Sequence, residues 1–289
     1  MRPTLNMIQT SRQIHPLHIL LALFLWFGSG CASNIPHPAV EGFSPADLSY
    51  QEAKDLWGKT LKKVVKPYGM IDFQEAAAES SGLSAYLSFV AEVGPYSHPD
   101  KFASQEARIA HFINSYNALA MYAIIASNFP ADLYSAWDRS RFDRAQYRVA
   151  GKWITLGDYE EEILRAANDP RLHFVLNHMT LDSPRLLNQP FQENQVETQL
   201  DGAAREFINN SYYVTLNPDR KTVRLTGLFE VYEKDFARQE DSLIAFINRY
   251  RNQKIPEAFK VKFRPYNWYI KRKEMLPPQV QKTSENLKK

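Results

Sequence analysis

Cysteine is nearly absent from this 289-residue chain, in which Cys31 is the one example. A chain with one thiol forms no internal disulfide, and no cysteine follows Cys31 to act as a nucleophile or a metal ligand. An HExxH motif and closely spaced pairs of metal-binding side chains are also missing from the sequence. We therefore predict no metal, no cofactor and no thiol chemistry in the folded domain.

The chain also lacks a strong charge of either sign. Its formal net charge is +3, and loss of Arg2 and Arg12 with an N-terminal signal peptide would lower this charge by two, to +1. Nucleic-acid binding depends largely on clustered lysine and arginine side chains that neutralise phosphates. We therefore predict no nucleic-acid partner.

The N-terminal segment has no apolar run long enough to cross a bilayer, which requires roughly 20 residues. Its longest apolar run, Ile19 to Phe27, follows a positively charged stretch and precedes three small residues, Gly28-Ser29-Gly30. Cys31 comes next, where a bacterial lipoprotein signal peptide places the cysteine that becomes lipidated. The leucine that usually stands three residues before that cysteine is replaced by Gly28. An ordinary signal peptide with a cysteine nearby is the alternative interpretation.

These features predict four segments. We expect a signal peptide over residues 1–30, a lipidated cysteine and tether over 31–43, one domain over 44–275 and a disordered tail over 276–289. The protein is then anchored in the bacterial cell envelope, with the membrane as a partner through the lipid. Ala32 stands after the cysteine instead of an aspartate, which favours the periplasmic side of the outer membrane.

Periodicity within residues 44–275 predicts a single α+β domain, because neither a repeat nor a linker interrupts it. Apolar residues cover much of the circumference of a helix from Ser104 to Asn128, which we predict to be central and buried. Amphipathic helices are expected to pack with it on a small, mainly antiparallel sheet built from hairpins. The other elements are predicted as follows: helices capped by Ser44 and Thr155, a helix from Leu83 to Val93, a helix from Glu193 to Asn210, hairpins near Gly151 and Asn217, two short helices within 228–250, a buried strand from Leu172 to Leu176, and a last strand broken at Pro265.

The central helix carries polar side chains among its apolar ones, namely His111, Asn114 and Asn117. Asn114 and Asn117 are three residues apart and share one face of the helix. A buried amide needs hydrogen-bond partners. We therefore expect this face to meet a polar feature of the fold.

Asp169 to Leu187 combines many reactive side chains with a short apolar run. In a hydrolase-like or acyl-transfer site, Ser183 would be the nucleophile and His173 or His178 the base. Asp182 or Glu160 would orient the imidazole, and an asparagine of the central helix would polarise a carbonyl group. The alternative is a simple turn at Ser183, with Asp182 as its cap and His178 in solvent.

His173 lies between apolar neighbours on the predicted strand, so its side chain should point to the opposite face. We predict that His173, Glu160, Arg171 and Asn114 converge on one cleft, with the loop from Asn177 to Pro184 at its rim. The alternative is a core imidazole that ties the strand to the central helix. The spacing of five between the two histidines does not favour a shared metal ion.

Six segments together resemble the motifs of a known family. In chain order, they are Tyr68 to Phe73, Phe112 to Ala118, Leu156 to Arg165, Asp169 to Phe174, Val223 to Phe236 and Tyr266 to Trp268. Over Leu56 to Trp268 the chain resembles the family called domain of unknown function 547 (DUF547). The resemblance implies frequent export in bacteria and no established activity.

The sequence departs from this family at two positions. Members commonly carry cysteines in the segment after the strand-like motif, where this chain has His178 and Ser183. Any chemistry that depends on those cysteines is therefore lost here. The sequence therefore predicts a domain of unknown molecular activity, with a degenerate hydrolase-like or acyl-transfer-like site as one hypothesis.

A non-catalytic domain that binds a protein or an envelope ligand is the alternative function. Aromatic residues could form its recognition surface; these are Trp137, Trp153, Tyr266, Trp268 and Tyr269. The two functions predict different surroundings for His173. An enzyme needs it accessible beside a nucleophile or water, whereas a binding or scaffold domain leaves it buried and exposes an aromatic patch.

Overall fold

The computed structural model describes residues 34–37, 44–78, 82–135, 142, 144–238 and 240–275. The predicted signal peptide, the lipidation site Cys31, the C-terminal tail and Trp137 lie outside the described residues. Those predictions therefore remain predictions.

Nine α-helices and five short strands make up the described part of the chain, which confirms one α+β domain. The helices are α1 (Tyr50–Val64), α2 (Phe73–Ala77), α3 (Leu83–Glu92), α4 (Gln105–Ala126), α5 (Leu156–Ala167), α6 (Val196–Asn209), α7 (Gly227–Val231), α8 (Glu233–Ala237) and α9 (Leu243–Tyr250). The strands are β1 (Gln146–Val149), β2 (Lys152–Thr155), β3 (Val214–Asn217), β4 (Thr222–Thr226) and β5 (Lys260–Arg264).

The strands form two small sheets. One is the hairpin of β1 and β2, and the other has the order β3-β4-β5. β3 and β4 pair antiparallel, whereas β5 joins β4 in parallel, with Val223 opposite Val261. Antiparallel pairing therefore predominates, as expected, and the parallel strand is an addition that the hairpin pattern did not predict.

Helix α4 is the centre of the first of two apolar clusters, as predicted. Ser104 accepts a hydrogen bond from the backbone of Ala107 and so starts the helix. By length and hydropathy α4 could span a membrane, but it lies mostly buried among α2, α3 and α5. The second cluster packs the helices from α6 onward against the three-stranded sheet through Phe207, Phe229 and Phe246.

Two local predictions are wrong. Helix α1 is capped by Ser49, whose side chain forms a reciprocal capping box with Glu52, and Ser44 instead precedes a separate turn of 3-10 helix. The predicted strand from Leu172 to Leu176 is a 3-10 turn over Pro170–Phe174. Proline at the first position sets a helical φ, and Asp169 accepts a hydrogen bond from the next backbone N–H group.

This 3-10 turn joins the two apolar clusters. Leu172 is buried in the cluster of α4, and Phe174 is buried in the cluster of the three-stranded sheet. His173 lies between them and is itself only 2% exposed. The predicted strand would have placed the imidazole on the face opposite its neighbours. In the 3-10 turn, the side chains of Leu172, His173 and Phe174 are all buried instead.

A short piece of the predicted tether lies against the domain. The backbone N–H of Ile35 donates to the carbonyl of Gln146 at the edge of β1 (2.9 Å). The hydroxyl of Tyr122 donates to the carbonyl of Pro36 (2.8 Å). Residues 34–37 are therefore docked on β1 and α4.

Candidate functional site

A buried carboxylate on α5, that of Glu160, collects hydrogen bonds from three different parts of the fold. Tyr116 on α4 donates to Oε2 (2.9 Å), and Nε2 of His178 lies 2.9 Å from the same oxygen. Tyr232, between α7 and α8, donates to Oε1 (2.7 Å). Thr155 caps α5 through the N–H of Asp158, as predicted, and so fixes the phase of the helix that brings Glu160 inward.

Glu160 is ionised despite its burial. Burial by itself would raise the pKa of the carboxyl group, but attraction to His178 and hydrogen bonds from His178 and Tyr232 outweigh it. Together they lower the pKa of Glu160 from its ordinary 4.5 to about 2. A buried charge is tolerated where hydrogen bonds replace its lost hydration. The three donors therefore hold Glu160 as a carboxylate at neutral pH.

Tyr232 connects His173 to this carboxylate, because it stacks on the His173 ring and donates a hydrogen bond to Glu160. The His173 ring and that of Tyr232 have centroids 3.9 Å apart and are nearly parallel, at 23°. Nε2 is 3.1 Å from Oδ2 of Asp235, whereas Nδ1 is buried and has no hydrogen-bond partner among the residues that the structure describes. Burial lowers the pKa of His173, against the opposing attraction of Glu160 and Asp235. The neutral tautomer with its proton on Nε2 matches this geometry.

We call the six residues of these two linked groups the polar network: Tyr116, Glu160, His173, His178, Tyr232 and Asp235. The network forms part of the wall of a cavity of about 790 Å³, which we call the His173 cavity. Its lining residues are Glu161, Leu164, Arg165, Asn168, Asp169, Pro170, His173, Tyr232, Asp235 and Arg238. Charged side chains of both signs therefore surround an opening backed by two stacked rings.

Arg171 is one of the four residues that were predicted to converge on one cleft. It instead forms a separate cluster of ion pairs. Its guanidinium group binds Asp169 on the 3-10 turn and reaches α6, where it contacts Glu197 (2.6 Å) and Asp201 (2.8 Å). The side chain therefore ties the 3-10 turn to α6. It does not line the His173 cavity.

Asn114 and Asn117 meet a polar feature, as expected for a buried face, and that feature is backbone. Asn114 exchanges two hydrogen bonds with the backbone of Phe191 (2.9 and 3.0 Å). Asn117 donates to the carbonyl of Val175 (3.0 Å) and accepts from the N–H of Asn177 (2.9 Å). Both amides thus attach the segment after the 3-10 turn to α4. Of the four residues predicted to converge on one cleft, His173 and Glu160 lie close together, whereas Arg171 and Asn114 have other partners.

Asp182 is buried in the loop between His178 and Pro184, and it binds a different set of residues. Arg264 at the end of β5 contacts both carboxylate oxygens (2.7 and 2.8 Å). The hydroxyl of Thr226 (2.7 Å) and the backbone N–H of Asn267 (2.8 Å) donate to Oδ2. Asp182 therefore connects its loop to β4, β5 and the C-terminal segment, and it contacts neither histidine.

Ser183, the predicted nucleophile, is fully buried at 0% exposure. Its hydroxyl group lies 2.8 Å from that of Thr180 and 3.1 Å from that of Tyr266. The two histidines bind Asp235 and Glu160 instead. The structure therefore places serine, histidine and Asp182 in three separate hydrogen-bonded groups, and not in one triad.

The aromatic residues predicted as a recognition surface are also divided. Trp153 is 41% exposed and Tyr269 is 48% exposed. Tyr266 and Trp268 pack on each other, with ring centroids 4.5 Å apart. Tyr269 has an exposed neighbour that the sequence did not indicate, Tyr134. The two rings pack edge to face, with their centroids 5.2 Å apart.

Three residues of the polar network, Tyr116, Tyr232 and Asp235, were not among the predicted site residues. A sequence signal was available for the last two, Tyr232 and Asp235. They are three residues apart in a helical segment, so they share one face. That spacing, beside a predicted histidine site, was the available signal. Within the described residues, no group of three or more histidine, cysteine, aspartate or glutamate side chains is placed to hold a metal ion.

The fold and the site define an α+β domain with a buried ionic network at the wall of a polar cavity. Residues 100–208 match the model of a family described as "Protein of unknown function, DUF547". This match supports the family over α4, α5, the 3-10 turn and the loop that follows it, and this region holds Glu160, His173 and His178. Tyr232 and Asp235 follow the matched segment. No curated protein and no solved structure gives a match.

A buried lysine beside the Ser183 loop gives a first testable prediction. Lys271 donates to the carbonyls of Ser183 and Pro184, and burial lowers its pKa from 10.5 to about 7. Both carbonyls also accept from other donors, Tyr213 and Asn177 respectively. Lys271→Met should therefore raise the free energy of unfolding at pH 7, on the order of 1–2 kcal/mol, because it removes a poorly solvated ammonium group.

The pH dependence of this effect has a defined sign. Between pH 7 and 10.5 the unfolded chain binds a proton that folded Lys271 has released, so wild-type stability rises with pH across this window. The advantage of Lys271→Met should therefore shrink towards pH 10. Urea unfolding at several pH values measures it, with the exposed Lys262→Met on β5 as the matched control. Equal effects of the two substitutions would contradict the prediction.

Proposed function

We propose that this protein is an exported, lipid-anchored binding protein of the bacterial cell envelope. Its His173 cavity takes a hydroxyl-rich ligand, such as a glycan of the envelope. The observation that carries the proposal is the burial of His173 at 2% exposure beside an open, charged cavity. A general base must reach its substrate, whereas a buried imidazole that fixes Asp235 and Tyr232 shapes a binding surface.

The chemistry of the cavity supports a hydroxyl-rich ligand. Arg165 and Arg238 supply N–H donors, and Asp169 and Asp235 supply acceptors. Asp235 also pairs with Arg238, and Asp169 also binds Arg171. Three acidic and two basic side chains line the cavity, so it has no strong preference for a charged ligand. Hydroxyl groups both donate and accept, and each can bridge an acidic and a basic side chain. The ring of Tyr232 adds an apolar contact.

The state of the predicted nucleophile supports binding over hydrolysis. Ser183 is fully buried, and its hydroxyl group contacts those of Thr180 and Tyr266. The hydrolase-like or acyl-transfer-like alternative rests on one observation, the pairing of His173 with Asp235. It requires Nδ1 of His173 to become exposed by movement of its neighbours.

Calorimetric titration with soluble oligosaccharides from the bacterial cell wall tests the proposal. Wild-type protein should bind, and Arg165→Ala and Arg238→Ala should each weaken binding by about tenfold, which corresponds to about 1.4 kcal/mol. Lys234→Ala is the matched control, because Lys234 is exposed on α8 and lies outside the cavity lining. Equal affinity in all four proteins, or no binding by the wild type, would overturn the proposal.

The same samples distinguish binding from hydrolysis. Mass spectrometry after prolonged incubation should recover the oligosaccharides unchanged. Shortened products that appear with wild-type protein and not with His173→Gln would establish the hydrolase-like alternative instead.

The anchor is a separate part of the proposal and has its own test. The order of a basic stretch, a short apolar run, small residues and Cys31 supports lipidation. In bacteria grown with labelled palmitate, we expect label on the wild-type protein and none on Cys31→Ala. Labelling of the variant would contradict the anchor and leave the binding proposal untouched.

A further inference from the structure

A second, smaller cavity lies beside the N-terminal half of α4. It has a volume of about 190 Å³ and shares no lining residue with the His173 cavity. It is enclosed by the segment 94–97, by α4 and α5, and by the hairpin of β1 and β2. Its lining residues are Gly94, Pro95, Tyr96, Ser97, His111, Phe112, Val149, Ala150, Lys152, Ile154, Tyr159 and Glu162.

His111 is the polar group at the inner end of this cavity. It is 0% exposed, and within the described part of the chain neither ring nitrogen has a hydrogen-bond partner. Aromatic rings surround it, with centroids at 4.6 Å for Phe102 and 5.8 Å for Tyr50. Burial lowers the pKa of His111 to about 3, so the ring is neutral and offers one donor and one acceptor. A buried polar group with no partner is rare in folded proteins and calls for an explanation, such as a bound water, ion or ligand.

Gly94 places no side chain between the buried imidazole and the cavity. A Cβ atom at this position would lie 3.8 Å from Nε2 of His111 and only 2.8 Å from Cβ of Ala150. The backbone of Ala150 is fixed here, because its N–H donates to the carbonyl of Val90 (2.9 Å). A side chain at position 94 would therefore crowd the hairpin turn and stand before the ring nitrogen. The sequence has glycine at this point.

We propose that this cavity binds a small single-ring molecule that carries one hydroxyl group. The ring lies among the apolar side chains of Phe112, Val149 and Ile154, and the hydroxyl group bonds to Nε2 of His111. Apolar cavities of about 150 Å³ hold a molecule the size of benzene. The proposed site therefore has the right size for one substituted ring. Bound water would satisfy His111 but not the apolar wall.

A comparison of two probes tests this site on the full-length protein. p-Cresol has the ring and the hydroxyl group, and toluene has the ring alone. We expect p-cresol to bind at least tenfold more tightly than toluene, measured by nuclear magnetic resonance titration, and to shift the Nε2 resonance of His111. Equal affinities, an unchanged Nε2 resonance or no binding of p-cresol would overturn the proposal without the use of any variant.

A variant adds an independent check. His111→Phe keeps a planar ring in aromatic surroundings and removes the hydrogen-bonding nitrogens, and it leaves the His173 cavity intact. The preference for p-cresol over toluene should disappear in this variant. A preference of the same size would show that His111 is not the hydrogen-bonding partner, and the proposed site would be rejected.

Discussion

Asp182→Ala is expected to lower the free energy of unfolding by about 3–5 kcal/mol, the range for loss of one partner of a buried ion pair. The substitution leaves Arg264 without its bidentate partner. It also leaves the Thr226 hydroxyl and the N–H of Asn267 without an acceptor. Because these groups come from β4, β5 and the C-terminal segment, the loss should loosen the attachment of all three to the loop.

Urea denaturation monitored by circular dichroism measures this effect. Asp219→Ala is the matched control, since Asp219 lies exposed in the turn between β3 and β4. It should change stability by no more than about 0.5 kcal/mol. A similarly small change for Asp182→Ala would contradict the assignment of Asp182 as a structural connector, and would restore it as a candidate for chemistry at the loop.

Glu160→Ala should be comparably destabilising, by about 3–5 kcal/mol. It removes the acceptor of Tyr116 and Tyr232 and the partner of His178 in one step. Glu160→Gln should cost less, because its carbonyl oxygen still accepts a hydrogen bond. Denaturation of both variants measures the difference, with the exposed neighbour Glu161→Ala as the control.

The charge of Glu160 also predicts an acid limit to stability. Its folded pKa of about 2 lies below the ordinary value of 4.5. The stabilisation is therefore fully present above pH 4.5 and is lost as the pH falls towards 2. Wild-type protein should lose stability across this window more steeply than Glu160→Gln. Parallel slopes for the two proteins would contradict the ionised state of Glu160.

Local sequence signals predicted the elements whose structure is decided locally. The periodicity of α4 and the capping of α5 by Thr155 are examples, because helix phase and helix start depend on residues within one or two turns. The segment from 170 to 187 was predicted less well. Its 3-10 turn arises from Pro170, and Met179 adopts a positive φ of 63°. Apolar alternation could not indicate either feature.

The candidate site was predicted only in part, because the sequence shows reactive side chains but not the distant residues that they contact. Glu160, His173 and His178 were recognised as reactive side chains near a buried segment, but their partners depend on tertiary contacts. His173 binds Asp235, which is 62 residues away in sequence. Asp182 and Ser183 stand next to each other in the chain and face different partners. Spacing alone therefore suggested one reactive cluster where the fold has three.

In our proposal, the His173 cavity binds a hydroxyl-rich ligand and His173 has a structural role. The most direct measurement is a nuclear magnetic resonance titration of the labelled protein with cell-wall oligosaccharides, combined with mass analysis of the ligand afterwards. We predict shifts at the Nε–H groups of Arg165 and Arg238, a His173 ring that stays neutral, and ligand of unchanged mass. Unshifted arginine resonances, or a cleaved ligand, would contradict the account.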